Sequence, residues 1–483
     1  MTLWNQLSTY LPIINIVFAV PIIFLERRNA AVTWAWLMVL FFIPFFGFIL
    51  YLLFGQNLSR RKIYRIKKLQ RLLIENSVEH QKVSIKSGEA EYNDPAMQDY
   101  SDMMYMNLVK SQAIYSQNNE VEVFVDGKTK FSALFRDMEA ATDHIHIIYY
   151  IIQNDDLGRK LTRALEQKAR EGVEVRLMYD AIGSLSLPKH FFDDLKAAGG
   201  QVAAFFPSKI PYFNLRLNYR NHRKIAIFDG ITGYIGGFNV GNEYLGKDEY
   251  FGFWRDTHLR VQGGAVHQLQ TLFLMDWNLA TPGMNSLESR YFPAVDVDSE
   301  GTTGMQIVSS GPHSETEQIK NAYIKMIHSA KKSIYLQTPY FIPDESLITA
   351  LNIAAASGVD VKIMLPSQPD HKLVYWASFS YLGELLNAGV RCFLYEKGFL
   401  HAKTMVVDGK IASVGTANID IRSFKLNFEV NALVYDTEIA GNLKAIFEED
   451  MTHSVELSAE AYGNRSHGAK IKESFVRLLS PIL

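Results

Sequence analysis

The chain has 483 residues, 48% of them hydrophobic, enough to bury the cores of two or three domains, which excludes a disordered tail. With 49 Lys and Arg against 51 Asp and Glu, the formal net charge is -2, so nothing global favours a polyanionic partner and any basic surface must be local. The single cysteine, Cys392, excludes an intramolecular disulfide framework and a cysteine-rich zinc site; inside "VRCFLY" it reads as a small apolar core residue.

In chain order, residues 1–58 carry two charge-free stretches, "YLPIINIVFAVPIIFL" (about 10–25) and "AAVTWAWLMVLFFIPFFGFILYLLF" (30–54). The second is long enough to cross a bilayer, which takes ~20 apolar residues. The first, interrupted by Pro12 and Pro21, reads as a tilted span, a re-entrant segment or an interfacial one. No Lys or Arg precedes it and a longer stretch follows, so a retained pair of N-terminal transmembrane helices is expected rather than a cleaved signal peptide.

Residues 59–119 read as a basic juxtamembrane linker. Arg60, Arg61, Lys62, Arg65, Lys67, Lys68 and Arg71 crowd its start, against only Arg27 and Arg28 between the two apolar stretches. That bias puts the rest of the chain on the cytoplasmic side and makes an anionic membrane surface an expected partner. A solvated helix is the plainer alternative.

From about residue 120, strand-like and helix-like segments alternate. "HIHIIYYII", "LGRKLTRALEQKAREG" and "VEVRLMYD" read as strand, helix and strand, and "SIYLQTPYFI", "ESLITALNIAAASG" and "VDVKIMLP" repeat that order. "EGVEVRLM" matches "SGVDVKIM" almost position for position, so the duplication runs through the whole half. The expected fold class is α/β: two similar lobes, 120–280 and 305–483, each a mixed β-sheet flanked by helices. The segment 281–304, rich in Pro, Gly, Ser and acids, reads as the connection between them.

Each lobe carries one copy of a polar triplet. His222, Lys224 and Asp229 lie in "NHRKIAIFDG"; His401, Lys403 and Asp408 lie in "LHAKTMVVDG". Histidine and lysine two apart on a strand share a face. Asp-Gly before a further apolar run is a hairpin signal, so Asp229 and Asp408 have a turn-forming reading beside a catalytic one. At equal offsets follow "GGFN", ending at Asn239, and "GTAN", ending at Asn418, small-residue loops that let amides approach an anion. Two imidazoles, two ammoniums and two amides in one cleft suit a phosphodiester. One His attacks phosphorus, the other protonates the leaving oxygen, and Lys and Asn hold the non-bridging oxygens. No metal or other cofactor is expected, because the pattern has no carboxylate cluster for magnesium or calcium and places a lysine beside each histidine.

These residues match HxKxxxxD followed by G-(S/G/T)-x-N, and in this the chain resembles the phospholipase D superfamily from about residue 120 onward. With its N-terminal apolar pair, basic segment, "YRNHRKIAIFDG", "GGFNVGNEY", "QTPYFIPD" and "GTANIDIRSFKLNFE", the whole architecture is similar to the bacterial cardiolipin synthases of that superfamily. The resemblance implies a multi-pass enzyme of the bacterial cell membrane that joins two phosphatidylglycerol molecules into cardiolipin and glycerol through a phosphatidyl-histidine. It implies His222 as nucleophile and His401 as acid and then base. It also implies Asp256 and Glu429 as carboxylates orienting the histidine of their own repeat, a sheet-edge ion pair being the plainer reading. Gly237 and Thr416 stand where many relatives have Ser, which leaves a hydroxyl contact in question.

"FFPSKIPYFNLRLNYRNH" mixes aromatic and basic residues as an interfacial loop does, with Tyr212 and Phe213 as lipid contacts and Phe205 and Phe206 as core. The competing readings are a phospholipase D or headgroup-exchange enzyme, a nuclease, and a membrane scaffold with a dead site. Near-neutral charge and the apolar N-terminus argue against a nucleic-acid partner. An oligomer is compatible with the sequence.

Overall fold

The computed structural model describes residues 15–24, 30–43, 46–54, 68–207, 219–282, 287–294, 301–312, 314, 316–478 and 480. Tyr212 and Phe213 lie outside them, as does most of the basic run at 60–67.

The first repeat contributes β1 (Ser116–Phe124), β2 (His144–Tyr149), β3 (Glu174–Asp180), β4 (Gln201–Phe205), β5 (Ile225–Phe228), β6 (Thr232–Gly236), β7 (Phe253–Arg255) and β8 (His258–Gln262). The second contributes β9 (Thr303–Ser310), β10 (Ser333–Gln337), β11 (Phe341–Ile342), β12 (Asp360–Pro366), β13 (Arg391–Tyr395), β14 (Gly398–Leu400), β15 (Thr404–Val407), β16 (Ile411–Gly415), β17 (Ile419–Asp420), β18 (Glu429–Tyr435) and β19 (Ser454–Leu457).

Fifteen of these strands form one mixed sheet. Counted outward from its middle, the order is β1-β8-β6-β5-β2-β3-β4 on one side and β9-β18-β16-β15-β10-β12-β13 on the other, the same path twice, with β19 added at the second edge. The lobes are therefore not separate sheets. Antiparallel pairing of β1 with β9, with a register shift between Ser116 and Asn119, makes them continuous.

Local chemistry explains the repeated unit. Helix Asp156–Arg170 is capped by Asp155, which accepts from Gly158 N, and buries Leu157, Leu161 and Leu165 against the sheet. Helix Glu345–Ala356 is capped in the same way by Asp344 and buries Leu347 and Leu351. Both chains then turn at a left-handed glycine, Gly172 with φ 91° and Gly358 with φ 89°, into the next parallel strand.

Two sequence expectations need correction. The stretch 59–119 is not all linker: it holds helices Lys68–Ser87 and Ser101–Ser111. Met97, Met103, Met104 and Leu108 belong to the second lobe's core, and Asn107 donates to Gln306 and Tyr435. Likewise, within 281–304, Tyr291 is fully buried and donates to Glu174, while Arg290 bridges Asp143 and Glu174. Composition marks a surface strip but not the anchors inside it.

At the N-terminus, 30–54 forms two helices, Ala30–Phe42 and Phe46–Phe54, rather than one. They fold together so closely that a Cβ on Gly47 would lie 2.9 Å from Leu40 Cα. In the sequence Pro44 falls between them, outside the described residues. Among the described residues no helix is long and apolar enough to cross a membrane.

Candidate active site

The site lies on the seam between the repeats, and two reciprocal backbone contacts build it. The segment entering the first motif pairs with residues leading into β18: Phe428 N donates to Arg220 O at 2.8 Å, and His222 N donates to Phe428 O at 3.0 Å. In the second motif β14 runs parallel to β7, and His401 N donates to Arg255 O at 2.7 Å. Glu429 follows Phe428 and Asp256 follows Arg255, so each contact sets a carboxylate beside the histidine of the other repeat.

His222 Nδ1 lies 3.0 Å from Glu429 Oε2, and His401 Nδ1 lies 2.6 Å from Asp256 Oδ2. The same-repeat pairing implied by the resemblance is thus replaced by a crossed one. Both carboxylates are fully buried, which sets aside the sheet-edge reading. With Nδ1–H donated to a carboxylate, the tautomer leaves Nε2 of each ring for chemistry.

Lys224 Nζ donates to His222 O at 2.7 Å and Lys403 Nζ to His401 O at 2.5 Å, so each ammonium is held alongside its own imidazole. Each lysine also disfavours protonation of the other repeat's histidine, as charges converging on one space do. Burial is the first cause of every shift here. It lowers His222, brings His401 down to about 4 with Lys403 adding to the effect, and brings Lys224 to about 7 and Lys403 to about 8. Burial would raise the Glu429 carboxyl, but His222 and Lys224 hold it below the usual range. The resting cleft therefore has neutral imidazoles between partly charged lysines.

The loops after β6 and β16 are alike in backbone but not in side-chain use. Asn239 accepts from Ile151 N at 3.1 Å and donates to Tyr244 Oη at 3.0 Å, whereas Asn418 is buried with its Oδ1 unpartnered among the described residues. Thr416 Oγ1 donates to Glu429 Oε2 at 2.6 Å, so the second loop does supply a hydroxyl. At the equivalent Gly237, a Cβ would lie 1.9 Å from Asp256 Oδ1: the Asp256 carboxylate occupies that space instead.

Asp229 and Asp408 stand apart from this chemistry. Each sits in the left-handed region, with φ 54° and 56°, at the far end of its motif strand. Asp229 accepts from Thr142, Asp143 and His144 N at 2.8 to 2.9 Å; Asp408 accepts from Lys331, Lys332 and Ser333 N at 2.7 to 2.9 Å. Both carboxylates are thus engaged at the turns as the turn-forming expectation has it, with six residues between each and the histidine of its motif.

Sequence reasoning missed the groups behind the motifs. The Tyr150 ring lies 4.7 Å from His222 and the Trp254 ring 5.2 Å from His401. Arg223, between the first His and Lys, is fully buried against Asp276 at 2.5 Å; Arg255, beside Asp256, pairs with Asp450 at 2.9 Å. The available signal was an aspartate near the end of each helix that follows the carboxylate strand, Gly264–Ala280 and Thr437–Thr452.

The chain matches the family described as cardiolipin synthase, PLD-like domain, over residues 134–277 and 323–451, and the phospholipase D-nuclease N-terminal family over 13–56. A protein of Listeria innocua named cardiolipin synthase is 54% identical over 484 residues, covering 100% of both chains. The major cardiolipin synthase ClsA of Bacillus subtilis is 53% identical with the same coverage. Among solved structures, the phosphatidylserine synthase of Haemophilus influenzae is similar with a TM-score of 0.59 at 13% identity, covering 75% of this chain and 95% of that one, which speaks for the fold alone. Two repeats sharing one sheet, with a crossed pair of histidines and carboxylates on their seam, define a phospholipase D-type protein. Within that class the chain belongs to the cardiolipin synthase family.

Proposed function

We propose that the chain joins two phosphatidylglycerol molecules into cardiolipin with release of glycerol. The observation that carries this reading is the crossed site: two Nε2 atoms, each backed by a buried carboxylate and flanked by a buried lysine. Lys224 and Lys403, with Asn239 and Asn418, hold the phosphate. A phosphate anion between the lysines raises the proton affinity of both imidazoles.

His222 Nε2 attacks phosphorus; the bond to the glycerol headgroup breaks, and His401, as imidazolium, gives its proton to the departing oxygen. Asp256, 2.6 Å from His401 Nδ1, stabilises the imidazolium against the burial and Lys403 that oppose it. In the second step the glycerol hydroxyl of another phosphatidylglycerol gives its proton to His401 and attacks phosphorus. The phosphorus–nitrogen bond breaks, which frees His222 and yields cardiolipin.

The enzyme works at a bacterial cell membrane, with its lobes on the cytoplasmic side by the Lys and Arg bias. The N-terminal helices support membrane attachment, since Trp34, Phe41, Phe42 and Phe46 are 64% to 74% exposed and make an apolar exterior suited to lipid. Whether this is a multi-pass anchor is tested by protease protection of both chain ends.

Incubating the full chain in phosphatidylglycerol vesicles tests the reaction. Cardiolipin and glycerol are expected in equal amounts, and phosphatidic acid as the main product would overturn the transfer. His222→Ala and His401→Ala are each expected to abolish turnover while the protein stays on the membrane. A quenched reaction should carry the phosphatidyl group on the His222 peptide; finding it on His401 would reverse the roles.

A further inference from the structure

The last long helix, His467–Arg477, is inside out. Its inward face carries Val476 and Glu473, both buried, while Ile471, Phe475 and Leu478 are 68% to 77% exposed. These three lie at i, i+4 and i+7, one continuous stripe. The only acid of the helix is held by a bidentate contact with Arg465, at 3.0 and 2.7 Å, on the protein side. The outward face is therefore apolar in the middle with cations at its edges: at 100° per residue Lys472 falls on one flank, Lys470 and Arg477 on the other, Arg477 lying 3.8 Å from Glu384.

The surroundings extend this face. Lys472 sits 5.3 Å over the ring of Trp376 on the adjoining helix Lys372–Asn387, whose first turn exposes Leu373. At its other end Arg477 and Leu478 border a cavity of about 720 Å³ lined also by Pro343, Ile421 and the acidic Asp344, Glu345 and Glu384, just beyond β11 and β17. β17 itself begins directly after Asn418, so the stripe flanks the second lobe's side of the site.

We propose that this helix is a membrane-docking element that lies in the interface of an anionic bilayer, its apolar stripe among the acyl chains and its lysines at the headgroups. A second copy of the chain is the other occupant an apolar stripe could take, but cationic flanks repel their own copy and attract acidic lipid. Docking here holds the seam at headgroup level, so phosphate reaches the lysines without the lipid leaving the bilayer. This rests on the lipid substrate proposed above.

The test uses the full chain with Cys392→Ser and single cysteines placed along the helix, each carrying a polarity-sensitive fluorophore, in vesicles containing brominated phosphatidylglycerol. Labels at 471, 475 and 478 should be quenched and blue-shifted, and those at 470 and 477 much less. Protection without bromine quenching, or disulfide formation between two copies at 475, would overturn the proposal in favour of self-association. In parallel, Lys470→Gln with Lys472→Gln should raise the KM for vesicle phosphatidylglycerol by roughly tenfold. Turnover of dispersed short-chain phosphatidylglycerol should be unchanged. Loss on both substrates would point to a folding defect and overturn the docking role, whereas an unmodified chain inactive on both would count against the catalytic reading instead.

Discussion

Asp229 and Asp408 show how one motif mixes chemistry with construction. Each carboxylate satisfies three backbone amides that begin the neighbouring strand, β2 or β10, so its removal leaves donors unpaired. Asp229→Ala should cost about 2 to 4 kcal/mol of stability, read as a lowered Tm, with kcat per folded molecule nearly unchanged; a selective loss of kcat at unchanged Tm would return this residue to the reaction. The two lysines behave oppositely. A basic group whose pKa is lowered loses its charge as pH rises through that value, so Lys224 near 7 and Lys403 near 8 leave the free enzyme short of phosphate-holding charge above about pH 7 to 8. kcat/KM should fall over that window, while kcat should fall only at higher pH because bound phosphate stabilises the ammoniums. A pH profile of both constants checks this, and a flat kcat/KM up to pH 9 would contradict it.

The carboxylate strands and their loops show where the repeats have diverged. Glu429 has room for the Thr416 hydroxyl beneath it, whereas the shorter Asp256 reaches His401 by occupying the space a side chain at 237 would need. Restoring the Ser common in relatives is therefore not neutral here. Gly237→Ser should displace Asp256 and reduce kcat by at least about a hundredfold, on the scale of losing an imidazole's orienting partner, as a steady-state assay would read. The strand and helix order, the glycine turns and the His-Lys spacing were legible in the sequence because each depends on residues near in the chain. The crossed pairing was not, because it depends on Phe428 meeting His222 and Arg255 meeting His401, contacts between residues more than a hundred positions apart.

At the level of the whole molecule, the duplication was legible but its closure was not. Repetition of "EGVEVRLM" as "SGVDVKIM" predicts two lobes; it says nothing of β1 pairing with β9. Nor does composition show that residues 97–108 pack into the second lobe, or that the apolar run 30–54 divides into two helices. Charge-free length is a good guide to an apolar environment and a poor one to helix continuity when a proline sits inside it. The inverted C-terminal helix escapes the eye in the same way, since an apolar stripe in a sequence is ordinarily assigned to the core.

The crossed contacts also limit how the enzyme can move. To swing the lobes apart would break the join between β1 and β9, pull His222 from Phe428 and Glu429, and pull His401 from Arg255 and Asp256. Opening and dismantling are the same event, so among the described residues the seam offers the catalytic cycle no hinge. Two bulky lipids must then arrive, and their joined product depart, without the repeats parting. Turnover should accordingly be governed by diffusion and crowding in the plane of the bilayer rather than by the flexing of a jaw.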